Sequence, residues 1–215
     1  SRGRGPGPAV SDPAAAWDLL RAGRRPEAVA AFQAVLGRDP GDRGAMRGLA
    51  LALAATGAAA DALGWIERAT AGGAPPAWLL DRAGILLRLG RRDAALALAR
   101  GLAGPGDAAR LAAVGDLFMA ARAWEDAVAA YRAAVDLRPD HAAVWNNLGG
   151  ALRELGRLPE AAAAYRRAVA VDPARQSKGI GRLLVDAQGE EARRLGVKNA
   201  FVLTDKPDYF KKLGF

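Results

Sequence analysis

Three stretches of the chain superpose without a gap: GRRPEAVAAFQAVLGRDPGD from Gly23, RAWEDAVAAYRAAVDLRPDH from Arg122, and GRLPEAAAAYRRAVAVDPAR from Gly156. Each has a turn, then a small residue (Ala28, Ala127, Ala161), then an aromatic four positions on (Phe32, Tyr131, Tyr165), then a proline (Pro40, Pro139, Pro173). Upstream of the last lies AAVWNNLGGALREL, where Trp145, Leu148, Gly149 and Leu152 fall at helical spacing. The unit is therefore a helix, a turn and a second helix, closed by a proline that cannot continue it. The period is 34 residues. A helix pair of this size cannot bury its apolar face alone, so the folding unit is the array. Units are expected at about 9–42, 43–76, 76–107, 108–141 and 142–175.

This pattern resembles the tetratricopeptide repeat family, most fully in the fifth unit. The second helices of units one and four match well. Unit two matches through Leu49, Ala50, Gly57, Ala62 and Ala69, and unit three more loosely through Ala83, Gly90 and Ala95. The resemblance implies a mainly α fold: an α-solenoid of about five helix-turn-helix repeats, ten antiparallel helices in a right-handed superhelix. Small residues on the first helices (Ala50, Ala83, Gly115, Gly149) should let the second helices approach closely. Phe32, Tyr131 and Tyr165 should fill the gap toward the neighbouring unit. Two departures stand out. SDPAAAWDLL puts Ala15 and Ala16 where larger residues usually pack and Trp17 where the face turns outward, so an irregular first helix is expected. Unit three has Ala99 in place of the aromatic and lacks the closing proline, so GPGD (Gly104 to Asp107) is expected to mark a bend.

Composition narrows the functional classes. The 215 residues, 51% of them hydrophobic, suffice for a substantial core. No apolar run reaches the roughly 20 residues of a membrane span. The opening SRGRGPGPAVSDP lacks the apolar core of a signal peptide, so a cytoplasmic protein without membrane attachment is expected, with residues 1–8 disordered. Cysteine is absent and His141 is the single histidine, which argues against disulfides, thiolate chemistry and a metal site. The net charge of +8 comes from arginines scattered among Asp and Glu, which reads as a solvated surface; no nucleic-acid partner is expected.

In proteins of the resembling family the first helices line a concave groove that holds an extended peptide or a partner's helix. Counted along each first helix, the inward-facing set is Arg47 and Leu51, then Asp81, Leu87 and Arg88, then Asp116 and Met119, then Asn146, Asn147 and Arg153. Asn147 could hydrogen-bond a ligand backbone, and the arginines could pair with carboxylates. The competing reading is that these are ordinary solvated polar residues on a scaffold. Residues 1–174 contain no lysine, so the lysine-rich clamp by which chaperone-binding members hold a terminal carboxylate is not expected.

All five lysines (Lys178, Lys198, Lys206, Lys211, Lys212) follow Ala174, where alanine density also falls. This tail reads as a glycine turn, a helix from about Ile180 to Leu195 stopped by Gly196, a short strand NAFVLT and a helix Pro207 to Leu213, a small C-terminal α/β segment. Gln176-Ser177-Lys178-Gly179-Ile180-Gly181, followed by RLLVDAQGEEARRLGVKNAFVLT and YFKKLGF, resembles the C-terminal part of a GCN5-related N-acetyltransferase, closest to the amino-acid N-acetyltransferase type. That resemblance implies that residues Gln176, Ser177, Lys178, Gly179, Ile180, Gly181 and Arg182 bind the pyrophosphate of acetyl-coenzyme A. The physics agrees: glycines let backbone N–H groups approach phosphate, and a helix N-terminus favours an anion. The strands that precede the turn in that family are replaced here by helical repeats. Phe210 stands where a catalytic tyrosine often does, with Tyr209 one residue earlier. No catalytic residue is assigned. Three readings follow: a binding scaffold with an incomplete acetyltransferase segment, an N-acetyltransferase whose repeats recruit a partner, or a tail helix Ile180 to Leu195 that caps the fifth unit.

Overall fold

The computed structural model describes residues 12–172, which form ten α-helices and, among the described residues, no strand. In chain order these are α1 (Pro13–Arg21), α2 (Arg25–Arg38), α3 (Arg43–Thr56), α4 (Ala59–Thr70), α5 (Pro76–Arg88), α6 (Arg92–Leu102), α7 (Ala108–Ala120), α8 (Trp124–Leu137), α9 (Ala142–Glu154) and α10 (Leu158–Val171). Compact contacts divide the chain between Gly104 and Pro105, inside the GPGD sequence, into a first unit containing α1–α6 and a second containing α7–α10. The expected disordered segment 1–8 and the expected helix-strand-helix of 175–215 lie outside the described residues.

Backbone chemistry sets the helix boundaries. Asp12, Asp42 and Asp107 precede α1, α3 and α7, and their carboxylates accept from the N–H groups of Ala14, Ala45 and Arg110, which the helix itself leaves unpaired. The second helices α2 and α8 end just before Pro40 and Pro139, as a residue preceding proline disfavours helical backbone. Within each helix pair the turn is made by one left-handed residue: Gly23, Gly57, Gly90, Arg122 and Gly156. Four of the five are glycine because a Cβ is penalised at positive φ, and Arg122 at φ 55° is the exception.

Within the first unit α2 packs on α1 and α3, and α4 on α3 and α5; within the second, α8 packs on α7 and α9. The second helices α2, α4 and α8 thus each cover their own first helix and the next one. The small residue that recurs in the second helices has no room to grow: Ala28, Ala62, Ala127 and Ala161 are wholly buried. Close approach of the glycines follows from their partners. A Cβ on Gly115 would lie 2.5 Å from the Tyr131 ring, and one on Gly149 2.6 Å from the Tyr165 ring.

Those distances add a contact within the repeat. The rings of Tyr131 and Tyr165 lie against the glycine of their own first helix, because only a residue without a side chain leaves a slot wide enough for a phenol there. Phe32 does reach the neighbouring repeat, where it meets Gly48. Helix α1 is also regular from its Asp12 cap, though only 9 residues long. Trp17 does not turn away from the fold: its ring meets Phe32 edge-on at 5.2 Å between centroids.

Candidate protein-interaction surfaces

The ten residues expected to face a ligand all lie on first helices: Arg47 and Leu51 on α3, Asp81, Leu87 and Arg88 on α5, Asp116 and Met119 on α7, and Asn146, Asn147 and Arg153 on α9. None of them is buried, and all of the intervening second helices lack a member of the set. The two compact units carry them separately, and their chemistry differs.

In the first unit the polar members bond to the protein itself. The Arg47 Nε donates to Asp81 Oδ2 at 2.6 Å across 34 residues, one repeat. The Arg47 guanidinium also lies over two indoles, 5.3 Å from the Trp17 centroid and 5.7 Å from that of Trp78, an arrangement that stabilises a cation by the ring quadrupoles. Arg88 donates to the carbonyl of Ala54 at 2.9 Å, an acceptor in the last turn of α3 that also receives the Gly57 N–H at 3.3 Å. Arg43 adds bonds to the carbonyls of Ala69, at 2.8 Å, and Gly73. Leu51 and Leu87 are half-buried and leave apolar surface beside these pairs. Arginines expected to seize a ligand carboxylate are therefore already bonded here, and their first effect is to tie α3 to α5.

In the second unit a carboxylate occupies the centre. The Tyr131 hydroxyl donates to Asp116 Oδ1 at 2.6 Å, and the Asn147 amide donates to the same oxygen at 3.1 Å. Asn147 is oriented in turn by the Asn146 amide, 3.5 Å from its Oδ1. Three helices, α7, α8 and α9, meet at one oxygen of an exposed side chain. Burial, and after it the hydrogen bond to Asp116, pushes the Tyr131 hydroxyl well above the usual tyrosine range, so it stays a donor. Arg153 pairs with Glu154 at 3.0 Å. Met119 lies beside Gly150, whose Cβ position is 3.8 Å from the methionine methyl.

The second-helix side of this unit is closed by ion pairs instead. Glu160 accepts from Arg157 at 2.7 Å and from Arg132 of α8 at 2.6 Å, and the hydrogen bond from Arg157 holds its carboxyl below the usual range. A depression between α8, α9 and α10, lined by Val135, Trp145, Leu148 and Leu152, sits beside them.

Three participants escaped the sequence reading. Trp17 and Trp78 hold Arg47, and Tyr131, read as filler, positions Asp116. The pairing of Arg47 with Asp81 had a signal, since opposite charges one repeat apart fall on successive first helices; the Tyr131 contact had none, because a consensus aromatic says nothing of its hydroxyl. The turn Gln176 to Arg182 expected to bind acetyl-coenzyme A lies outside the described residues. Among the described residues no cluster of His, Cys, Asp and Glu could hold a metal ion, and no helix is long and apolar enough to cross a membrane.

Repeated helix pairs with a small residue in each second helix define a helical-repeat scaffold. The tetratricopeptide repeat family matches residues 14–77 and 113–177, more than half of the chain, and the chain belongs to it. Among curated proteins it is similar to the peroxisomal targeting signal receptors of Candida albicans and Eremothecium gossypii, each 33% identical over 86 residues. The match covers 38% of this chain and only 14% and 15% of those receptors. Among solved structures, residues 41 to the end of MamA from Desulfovibrio magneticus RS-1 align with a TM-score of 0.62 at 20% identity, over 77% of this chain and 98% of that one. YrrB, described as a TPR protein with an unusual peptide-binding site, aligns with a TM-score of 0.58 at 18% identity, over 81% of this chain and 88% of its own. These likenesses establish the fold.

Proposed function

We propose that this protein-interaction scaffold binds an extended peptide or a partner's helix along the exposed faces of its first helices. The observation that carries the reading is that each unit separately offers such a face: residues on α3 and α5 in the first and on α7 and α9 in the second, none buried, with leucine and methionine side chains beside fixed polar groups. Oriented donors and acceptors beside apolar surface suit an extended backbone, which brings both N–H and C=O groups and alternating side chains. The likeness to a targeting signal receptor and to YrrB, with its peptide-binding site, supports the same class of ligand.

Peptide display on the full chain tests this. Selected peptides are expected to bind less tightly to Asn147→Ala, whose amide projects from α9. Arg47→Ala, Asp81→Ala and Arg88→Ala should weaken binding as well, and the Arg47 variant should also lower stability by about 1–2 kcal/mol through loss of its ion pair and two indole contacts. Peptides that bind all four variants as tightly as the parent chain would contradict the assignment.

A coenzyme A function is a second, separate proposal that rests on the sequence QSKGIGR. A glycine turn leading into a helix can cradle a pyrophosphate by itself, whereas polarising a thioester needs a backbone amide from a neighbouring strand, and residues 12–172 supply only helices. Calorimetry with coenzyme A is expected to show weak binding, lost on Gly179→Val or Gly181→Val, and no acetyl transfer to a panel of amino acids. Turnover by this chain would reverse the order of the two proposals.

A further inference from the structure

The two compact units treat their acidic groove residue differently. Asp81 has a cation of its own, Arg47, at 2.6 Å, and both side chains are about three-quarters covered. Asp116 is exposed and forms no ion pair among the described residues. Its hydrogen bonds come from two neutral groups, the Tyr131 hydroxyl and the Asn147 amide, and both go to Oδ1. A neutral donor fixes a carboxylate without cancelling its charge. Oδ2 is left without a donor among the described residues, on an oxygen pair that cannot rotate without breaking bonds to α8 and α9.

A free surface aspartate spreads its charge over several rotamers, and a cation that pairs with it must restrict both side chains, which is why exposed pairs contribute little. Asp116 has already lost that freedom. Asn147 is itself oriented by Asn146, so the bonding runs from Asn146 through Asn147 to the carboxylate. Such pre-organisation raises what a ligand donor gains on pairing. The surroundings suit a long cationic side chain: Met119 lies one helical turn along α7 and offers apolar surface for a methylene stem.

We infer that Asp116, held by Tyr131 and Asn147, is the specificity determinant of the second unit and selects a partner segment carrying a lysine or arginine. This rests on the first-helix reading of the groove given above. The first unit makes no such demand, because Arg47 already occupies the place of the partner's cation.

The test is a positional scan by fluorescence polarisation. A display-selected peptide bound to the full chain is resynthesised with each residue replaced in turn by Ala, Glu, Lys and Arg, in N-acetylated and free-amine forms. The parent chain should require Lys or Arg at one internal position, with the acetylated form binding equally well. Asp116→Asn keeps the shape and both hydrogen bonds to Oδ1, and should weaken that peptide about ten-fold while leaving the Ala-substituted peptide unchanged. Tyr131→Phe keeps the ring and Asp116 but leaves the carboxylate held by Asn147 alone, so it should reduce the Lys-over-Ala preference, as should Asp116→Glu, whose carboxylate lies one methylene out of register. Four results would overturn the inference: no basic position, a basic position that Asp116→Asn does not affect, a requirement for the free N-terminal amine, or a preference unmoved by Tyr131→Phe. If the peptides bind and Asn147→Ala still weakens them, the groove reading survives that outcome; if no peptide can be selected, both fall.

Discussion

Tyr165→Ala is expected to lower the stability of the chain by about 3–5 kcal/mol. The ring is 2% exposed and fills the slot left by Gly149, so its removal opens a cavity between α9 and α10 that neighbouring alanines are too small to fill. Tyr165→Phe separates the ring from its hydroxyl. It should change stability by less than about 0.5 kcal/mol, since no hydrogen bond ties that hydroxyl to another described residue. At the equivalent site one repeat earlier the two substitutions behave differently. Tyr131→Ala should cost as much as Tyr165→Ala, and Tyr131→Phe about 1 kcal/mol, because its hydroxyl donates to Asp116 at 2.6 Å. Urea unfolding of the four variants, followed by circular dichroism, gives the comparison. Equal losses for the two phenylalanine variants would mean that the Tyr131 to Asp116 bond does not contribute.

Two adjacent glycines of α9 should respond to the same change with opposite signs. A Cβ on Gly149 would lie 2.6, 2.7 and 2.9 Å from three atoms of the Tyr165 ring. A buried ring has little room to withdraw, so Gly149→Ala should destabilise by about 1–3 kcal/mol despite the better helix propensity of alanine. A Cβ on Gly150 meets its nearest neighbours, the Met119 methyl and the Tyr165 hydroxyl, at the ordinary distances of 3.8 and 3.9 Å. Gly150→Ala should therefore stabilise by about 0.5–1 kcal/mol, the usual gain when a helix-interior glycine becomes alanine. Thermal melts of both variants check the sign directly. A double variant that joins Gly149→Ala to Tyr165→Ala should be less destabilised than the sum of the two, since the added methyl enters the cavity left by the ring.

The parts of the fold visible in the sequence are those that local chemistry repeats in each unit. Ala28, Ala127 and Ala161, the aromatic four positions on and the prolines gave the helix pairs, because packing of a second helix on a first requires a small residue at the same place each time. The face of the first helices was legible for the same reason, since position in the repeat determines direction. What each residue does on that face was not legible. Arg47 and Arg88 were read as ligand groups, yet they bond Asp81 and the Ala54 carbonyl, and whether a surface cation meets a ligand or a neighbour depends on which side chain stands one repeat away. The direction of the aromatic rings was equally hidden. Phe32 meets Gly48 of the next repeat, while Tyr131 and Tyr165 meet Gly115 and Gly149 of their own, and each contact follows where the glycine sits along the first helix. Trp17 looked like an outward residue because the repeat pattern alone does not register that Arg47 of the next first helix lies 5.3 Å from its ring.

The central claim is that ligands engage the first helices and not the second. Chemical-shift perturbation by NMR, with a display-selected peptide titrated into the isotope-labelled chain, tests it most directly. Backbone and side-chain signals of Asn146, Asn147, Asp116 and Met119 are predicted to move and saturate together, at higher peptide concentration in Asn147→Ala; a peptide held by the first unit would move Leu51 and Leu87 instead. Shifts confined to α8 and α10, centred on Arg132 and Glu160, would contradict it.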